Sequence, residues 1–197
     1  MAYEMKPLSC IPAKLKGLSE QLIVSHYENN YGGAVKRLNA ITAQLESLDF
    51  ATAPVFVING LKREELIASN SMILHELYFD GLGSRGEPDK ELQRALVSDF
   101  GSVERWQTQF AAMGKAMGGG SGWVLLTYSR RDKKLINQWA ADHTSCLVNA
   151  TPILALDMYE HSYHIDYGAK AAAYVDAYMN NINWENASAL YSRSAHS

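Results

Sequence analysis

Apolar residues recur three and four positions apart in the first quarter of the chain, as expected for one face of a helix. The clearest stripe consists of Leu38, Ile41, Leu45 and Leu48. It predicts a long helix from Ser19 to Leu48, interrupted by Gly32-Gly33. Because each glycine inside a helix costs about 1 kcal/mol relative to alanine, we expect a kink or a tightly packed neighbour at this pair.

A second helix is predicted from Lys62 to Phe79. It follows a loop that the turn-forming pairs Ala53-Pro54 and Asn59-Gly60 indicate. Two helices joined by one connection favour an antiparallel helical hairpin at the start of the chain.

The segment from Gly81 to Pro88 is rich in glycine and is predicted to link two domains, at residues 1–83 and 84–197. Gly81, Gly83 and Gly86 match the GxGxxG spacing of a dinucleotide site. That fingerprint requires a preceding strand, whereas here the glycines follow a helix, so we interpret them as a linker.

Beyond the linker, short helices are predicted at Asp89–Phe100 and Ser102–Met117. The hydrophobic pattern then changes to that of β-structure. The predicted strands are Trp123–Tyr128, Leu135–Trp139 and Ile153–Leu156. From Met158 to the end the pattern is mainly helical, and the second domain is therefore predicted to be α+β.

Composition limits the possible functions. Hydrophobic residues make up 47% and charged residues 20% of the 197 residues, as in ordinary globular proteins. The net charge of −3 argues against a nucleic-acid-binding protein, which needs a basic face. The first residues contain no apolar run, so we expect no secretory signal, no membrane segment and a cytoplasmic location.

Asp157 and His161 are four positions apart, a spacing that places both on one face of a helical turn. The apolar run Pro152–Leu156 precedes them, so the carboxylate is expected at the end of a buried strand. A buried charge needs a partner, and either a metal ion or a hydrogen bond between the two residues would provide it.

Two further histidines, His26 and His75, lie in apolar helical stretches. Each alone is compatible with an ordinary core histidine. The predicted hairpin could bring them together, with Asp157 and His161 arriving from the second domain. Three imidazoles and one carboxylate suit iron, manganese or zinc, and the ligand types alone do not choose among these metals.

Five segments in this order resemble the iron/manganese superoxide dismutase family along essentially the whole chain. They are Ser25-His-Tyr27, His75-Glu-Leu-Tyr-Phe79, Gly120-Ser-Gly-Trp123, Leu156-Asp-Met-Tyr-Glu-His-Ser-Tyr163 and Ile182-Asn-Trp184. The resemblance implies an N-terminal helical hairpin and a C-terminal α+β domain with a three-stranded antiparallel sheet. It also implies the conversion of superoxide to oxygen and hydrogen peroxide.

The resemblance implies that one iron or manganese ion is bound by four residues and completed by a solvent molecule. The implied ligands are His26, His75, Asp157 and His161. It further implies a homodimer formed through Glu160 and Tyr163, in which Glu160 reaches His161 of the partner subunit. Tyr78 matches iron-type members and favours iron slightly.

The chain departs from the family pattern beside the first ligand, which indicates a divergent member. Family members usually carry a His-His pair four and five residues after that ligand and a gateway tyrosine eight residues after it. Here these positions hold Asn30, Tyr31 and Ala34. Tyr31 is the candidate substitute for the gateway hydroxyl, which helps to supply protons.

A second departure concerns the glutamine that normally hydrogen-bonds the solvent ligand. Iron forms supply it from the position of Ser71, and manganese forms supply it from the segment that contains Asp142 and His143. Since no glutamine stands at either place, His143 is the candidate donor, and Asp142 remains the alternative.

Three functions therefore remain open. The first is a superoxide dismutase, and the second is a metal-binding protein of the same fold with weak or altered redox activity. The third, an interaction protein without metal, is disfavoured because all four ligand residues are present in the sequence.

Overall fold

Helices form the first part of the chain in the computed structural model, which describes residues 2–83 and 86–197. After a short 3-10 helix at Pro12–Lys14, the elements are α1 at Glu20–Ser25, a π-helical segment at His26–Tyr31, α2 at Gly32–Glu46 and α3 at Val55–Asp80. The Ser19 hydroxyl accepts a hydrogen bond from the Leu22 N–H at 3.0 Å and so caps α1. The first helical stretch thus begins where the hydrophobic pattern predicts.

The irregularity expected near Gly32-Gly33 is present as the π-helical segment, which ends at Tyr31. A Cβ atom on Gly32 would lie 3.1 Å from the Met5 sulfur, whereas one on Gly33 would meet nothing within 4 Å. Gly32 therefore lets the start of the chain pack closely against the helix, and the prediction of a tightly packed neighbour is confirmed for this glycine.

The second long helix begins earlier than the turn signals indicate. α3 starts directly after Pro54 and continues through Asn59-Gly60, so the prediction of a loop there is wrong. One glycine costs only about 1 kcal/mol in a helix interior, and the continuous hydrogen bonding of a 26-residue helix outweighs it. α2 and α3 pack together, which confirms the helical hairpin.

The start of the predicted linker is fixed to the C-terminal part of the chain. The Gly83 N–H donates to the Asn181 carbonyl at 2.8 Å, and the Asn183 N–H donates to the Gly81 carbonyl at 2.8 Å. Ser84 and Arg85 lie outside the described residues. The boundary between residues 83 and 84 therefore stays a prediction.

The second half of the chain contains the remaining helices and one sheet. Its elements are α4 at Lys90–Phe100, α5 at Val103–Ala116, β1 at Trp123–Ser129, β2 at Lys134–Ala140, β3 at Ala150–Asp157, a 3-10 helix at Glu160–Ser162, α6 at His164–Tyr167, α7 at Ala171–Met179 and α8 at Trp184–Ala195. Side chains of Asp89 and Ser102 cap α4 and α5. These two helices therefore begin where their sequence signals predict.

The sheet is antiparallel with strand order β2-β1-β3, and β1 is buried along its whole length. β3 begins at Ala150, three residues before the predicted strand, and a register shift between Leu126 and Thr127 of β1 accommodates it. Trp123 pairs with Asp157 at one end of the sheet. The α+β fold with a three-stranded antiparallel sheet is thus confirmed.

Helix α7 is tied to β3 by two buried tyrosines. The hydroxyl of Tyr178 donates to the Ala155 carbonyl and that of Tyr174 donates to the Asp157 carbonyl, both at 2.8 Å. These bonds fix the end of β3, where the chain leaves the sheet. Among the described residues, no helix combines the length and apolar character needed to cross a bilayer.

Two glycine substitutions test the packing of the helices. Gly60→Ala should raise the free energy of unfolding by about 0.5–1 kcal/mol, because Gly60 is helical and has open space around it. Gly114→Ala should lower it by about 1–3 kcal/mol. The added Cβ would lie 2.7 Å from Leu156 Cδ2 and 3.1 Å from Val175 Cγ2.

Urea unfolding of both variants beside the unsubstituted protein measures these changes. A loss of stability in Gly60→Ala would contradict the continuous α3 helix, because alanine is unfavourable only where the backbone leaves the helical conformation.

Candidate metal centre

Four side chains from four different elements meet at the end of the sheet. His26 is the first residue of the π-helical segment, His75 lies on α3, Asp157 ends β3, and His161 lies in the 3-10 helix. One donor atom from each lies within 4.8 Å of the others. The prediction that Asp157 and His161 share one face of a helical turn is wrong. Asp157 ends a strand and His161 lies in a 3-10 helix, and the turn between these two elements brings the side chains together.

One carboxylate oxygen lies at the centre of this group. Asp157 Oδ2 is 3.2 Å from the Nε2 atoms of both His26 and His161. It is 3.7 Å from Nε2 of His75. The Asp157 side chain is fully buried, and His161 is the most accessible of the four, with 26% of its side chain exposed.

Backbone groups set the orientation of two ligands. The His75 Nδ1–H donates to the Ser71 carbonyl at 2.6 Å, which leaves the lone pair of Nε2 directed into the site. Asp157 Oδ1 accepts the Tyr159 N–H at 2.8 Å, which leaves Oδ2 facing the three imidazoles. The site is therefore preorganised by the fold.

The buried nitrogen atoms fit a metal ion. His26 Nε2 and His75 Nε2 are buried and make no hydrogen bond with any described residue, and neither does His26 Nδ1. Leaving a buried polar atom without a partner costs about 1–3 kcal/mol. A cation bound by the two Nε2 atoms and by Asp157 would supply the missing interaction, and nitrogen and oxygen ligands of this kind suit iron or manganese.

Burial sets the protonation state of these ligands. It lowers the pKa of His26, and it lowers the pKa of His75 to about 3. Burial alone would raise the pKa of Asp157, but the neighbouring His161 and His26 imidazoles outweigh it and hold that pKa below its usual range. At neutral pH, two neutral imidazoles thus face a carboxylate, the forms that bind a metal without first losing a proton.

Aromatic rings enclose the ligands and keep water away. The His26 ring centroid lies 5.0 Å from those of Tyr78 and Phe79, and the His75 centroid lies 5.3 Å from that of Trp123. All three aromatic side chains are buried. A dry wall strengthens the interaction between the carboxylate and a bound cation, because little solvent screens it.

His143 lies beside the ligands, with its ring centroid 6.1 Å from that of His75. Its Nδ1 accepts the Trp123 Nε1–H at 3.0 Å, so the ring proton is on Nε2. The ring stacks on Tyr159 at a centroid distance of 4.9 Å and an angle of 11°. Burial lowers the pKa of His143, which favours this neutral form.

Asp142, the alternative to His143, is engaged in the adjoining turn. Its Oδ1 accepts the Thr144 N–H at 2.7 Å and the Thr144 hydroxyl at 2.6 Å. The carboxylate therefore stabilises the loop between β2 and β3.

Tyr31 is also buried next to a ligand. Its ring lies at 27° to the His75 ring, with centroids 6.5 Å apart. Its hydroxyl accepts the Lys6 N–H at 2.9 Å and donates to Glu76 Oε1 at 3.0 Å. Sequence reasoning missed Lys6 and Glu76, because residues 70 positions apart leave no local pattern that links them.

A cavity of about 340 Å³ lies between the π-helical segment, α2, α3 and the loop after β2. It is lined by Asn29, Asn30, Gly33, Ala34, Arg37, Ile67, Ala68, Ser71 and His143. Arg37 is its cationic residue and forms an ion pair with Glu64. Ala34, at the usual gateway position, and His143 both line this cavity.

The two residues expected at a subunit interface lie on either side of Ser162. Glu160 is exposed in the 3-10 helix, whereas Tyr163 is 2% exposed and packs against Tyr174. Glu160 is therefore available for contact with another chain. Its role in a dimer stays a prediction.

Three histidines and one aspartate at a single position, in an α+β fold with a helical hairpin, define a mononuclear metalloprotein. Residues 88–190 match the model for iron/manganese superoxide dismutases, C-terminal domain. The chain is 73% identical over 191 residues to Superoxide dismutase [Fe] of Cupriavidus metallidurans, covering 97% of each chain. The chain belongs to the iron/manganese superoxide dismutase family.

More distant relatives carry the names of both metals. Superoxide dismutase [Fe] of Aquifex pyrophilus is 32% identical over 182 residues, which cover 88% of this chain and 84% of that protein. Superoxide dismutase [Mn] 2 of Haloferax volcanii is 32% identical over 199 residues, which cover 97% and 96%. The 73% identity to the Cupriavidus protein corrects the expectation of a divergent member.

Removal of a ligand tests the metal site. His26→Ala and Asp157→Ala should each abolish metal retention, because the remaining three donors leave an open, weaker site. Metal content per chain after purification measures this. His196→Ala is the matched control, since His196 is an exposed histidine that pairs with Glu91. A His26→Ala protein that keeps a full equivalent of metal would disprove the ligand assignment.

Proposed function

We propose that this protein is a superoxide dismutase that binds one iron ion per subunit through His26, His75, Asp157 and His161. The observation that carries the proposal is the convergence of these four donors within 4.8 Å in a chain of this family. The iron name of the 73% identical relative supports iron over manganese, as does Tyr78.

The net reaction consumes two superoxide ions and two protons and yields one oxygen molecule and one hydrogen peroxide molecule. When bound, the metal supplies the one-electron couple through which one superoxide is oxidised and the next is reduced. The protein must therefore hold the ligands, exclude bulk water, admit a small anion and supply protons.

His143 is proposed to donate its Nε2–H to the solvent molecule that completes the site. The Trp123 bond to Nδ1 supports this role, because it keeps the proton on the opposite nitrogen. Asp142 is less suited, since its carboxylate already accepts two hydrogen bonds from Thr144. A donor at this place tunes the redox potential and so affects which metal is active.

Tyr31 is proposed to substitute for the gateway tyrosine. Burial raises its pKa to about 12, so its hydroxyl stays protonated at neutral pH. The hydroxyl donates to Glu76, whose side chain is 14% exposed. This bond gives Tyr31 a route for proton exchange with solvent that does not pass through the cavity.

The cavity at Ala34 is the proposed route for superoxide. It is lined by Ser71, which bonds to the ligand His75, and by Arg37. A cationic side chain at an entrance raises the rate at which an anion arrives, and salt weakens the effect. The ion pair with Glu64 reduces the attraction that Arg37 provides.

The proposal also covers the oligomeric state, the domain boundary and the cellular compartment. The subunits are proposed to pair as a homodimer through Glu160 and Tyr163, with Glu160 reaching His161 of the partner subunit. The domain boundary is proposed at residues 83/84. The cytoplasm is the proposed compartment.

The proposal is tested on protein that is stripped of metal and reloaded separately with iron and with manganese. Superoxide-dependent oxygen release and metal content are measured on each sample. We expect the iron form to be active and the manganese form to be slower by about tenfold or more, because the solvent donor sets the potential for one metal. One equivalent of either metal with negligible oxygen release would instead indicate a metal-binding protein with altered activity.

Replacement of the solvent donor tests the role of His143. His143→Ala should keep its metal but shift the redox potential by more than about 60 mV, the one-electron equivalent of a tenfold change in an equilibrium constant. His143→Gln, which keeps an N–H donor, should restore part of the shift. Potentiometric titration of each variant measures it, with Asp142→Ala as control. If only the Asp142 variant shifts, Asp142 is the donor.

A further inference from the structure

The first residues of the chain lie along the helices that carry two of the ligands. We call residues 3–9 the N-terminal arm. At one end, the Tyr3 N–H donates to Asn39 Oδ1 at 2.8 Å, and Asn39 Nδ2–H donates back to the Tyr3 carbonyl at 2.9 Å. At the other end, the Ser9 hydroxyl donates to the Phe79 carbonyl at 3.4 Å. The arm is thus fastened to both α2 and α3.

Lys6 lies in the middle of the arm, and both its backbone N–H and its carbonyl form hydrogen bonds. Its N–H donates to the Tyr31 hydroxyl at 2.9 Å, and its carbonyl accepts from the Tyr27 hydroxyl at 2.8 Å. Both tyrosines belong to the π-helical segment that begins with His26. The main chain of Lys6 is therefore fixed to the segment that provides the first ligand.

The side chain of Lys6 makes the contact with the other ligand helix. Its ammonium group forms an ion pair with Glu76 Oε2, and Glu76 directly follows His75 on α3. The lysine side chain is 66% exposed, but the Glu76 side chain is only 14% exposed. The charge of so poorly hydrated a carboxylate must be stabilised by its partners. Loss of the lysine would leave the Glu76 charge with little water to replace it.

The Glu76 carboxylate also contacts the π-helical segment, through the Tyr31 hydroxyl. Glu76 Oε1 accepts the Tyr31 hydroxyl at 3.0 Å, and the Tyr31 ring lies at 27° to the ring of His75. Lys6, Tyr31 and Glu76 thus close a ring of hydrogen bonds across the two ligand helices. Through the Tyr31 ring, this hydrogen-bonded ring lies beside the His75 imidazole.

We propose that Lys6 and Glu76 are positioning residues of the metal centre, which together clamp the His26 segment to the His75 helix. The inference rests on the proposed metal binding. Ligands must be held to within a fraction of an ångström of the productive geometry. Without the clamp, the π-helical segment and α3 can separate more easily, and the bound metal is released faster.

Two conservative variants remove the ion pair and little else. Lys6→Met keeps the aliphatic stem and both backbone hydrogen bonds of residue 6. Glu76→Gln keeps the size of the side chain and an oxygen that can accept from Tyr31. Lys6→Arg keeps the charge, and Lys62→Met removes a comparable exposed ion pair, with Glu65, that lies elsewhere on α3.

The rate of iron loss from iron-loaded protein to a chelator at neutral pH is the first readout. Lys6→Met and Glu76→Gln should each lose iron about tenfold faster than the unsubstituted protein, since loss of a residue that supports a metal ligand typically costs about 10–100-fold in metal affinity. The double variant should lose iron no faster than the single variants, because both act on one contact. Lys6→Arg should restore slow loss, and Lys62→Met should not differ from the unsubstituted protein.

The electron paramagnetic resonance spectrum of the ferric protein is the second readout, because it reports ligand geometry rather than stability. We expect altered spectra for Lys6→Met and Glu76→Gln and an unaltered one for Lys62→Met. Unchanged iron loss and spectra in both clamp variants would overturn the clamp and leave the proposed function standing. Failure of the unsubstituted protein to retain iron would overturn both.

Discussion

The architecture of this protein depends on one buried carboxylate. Asp157 is fully removed from solvent, and its charge is stabilised by the nearby imidazoles, by the Tyr159 N–H and by a cation when one is bound. Its position at the end of β3 therefore requires two helical elements to deliver histidines from the first part of the chain. The tyrosine hydroxyls that hold the strand end, the aromatic wall and the 3-10 turn after the strand all serve to keep that carboxylate where the histidines meet.

Features that arise from local pattern could be predicted from the sequence. The hydrophobic stripe of α2, the bounds of α4 and α5 and the change to a β-type pattern at β1 and β2 each arise within a few residues, and the ligands lie in short motifs. The loop predicted at Asn59-Gly60 is absent because the cost of one glycine in a helix is small compared with the hydrogen bonding of a long helix. The hydrogen bond from Trp123 to His143 could not be predicted, since the two residues are 20 positions apart and only the fold brings them together.

The metal centre joins the two parts of the chain. His26 and His75 come from the helical hairpin, whereas Asp157 and His161 come from the sheet and the turn after it. A cation at this position cross-links elements that are far apart in sequence, so its binding free energy contributes to the stability of the whole fold. The pairing of residues 81–83 with 181–183 ties the two parts together at a second place.

The π-helical segment inserts one residue between the first ligand and the core-facing stripe of α2. A π-helical turn holds about one residue more than an α-helical turn, and one residue corresponds to about 100° of rotation around the helix axis. The wide turn absorbs that rotation, so the side chains on either side of it keep the directions that a regular helix one residue shorter would give them. Loss of a single residue between His26 and Tyr31 would therefore convert the segment to regular helix and leave the ligand and the stripe facing the same way. Loss of a residue within the regular part of α2 has no wide turn to absorb it and would rotate part of the stripe away from the core.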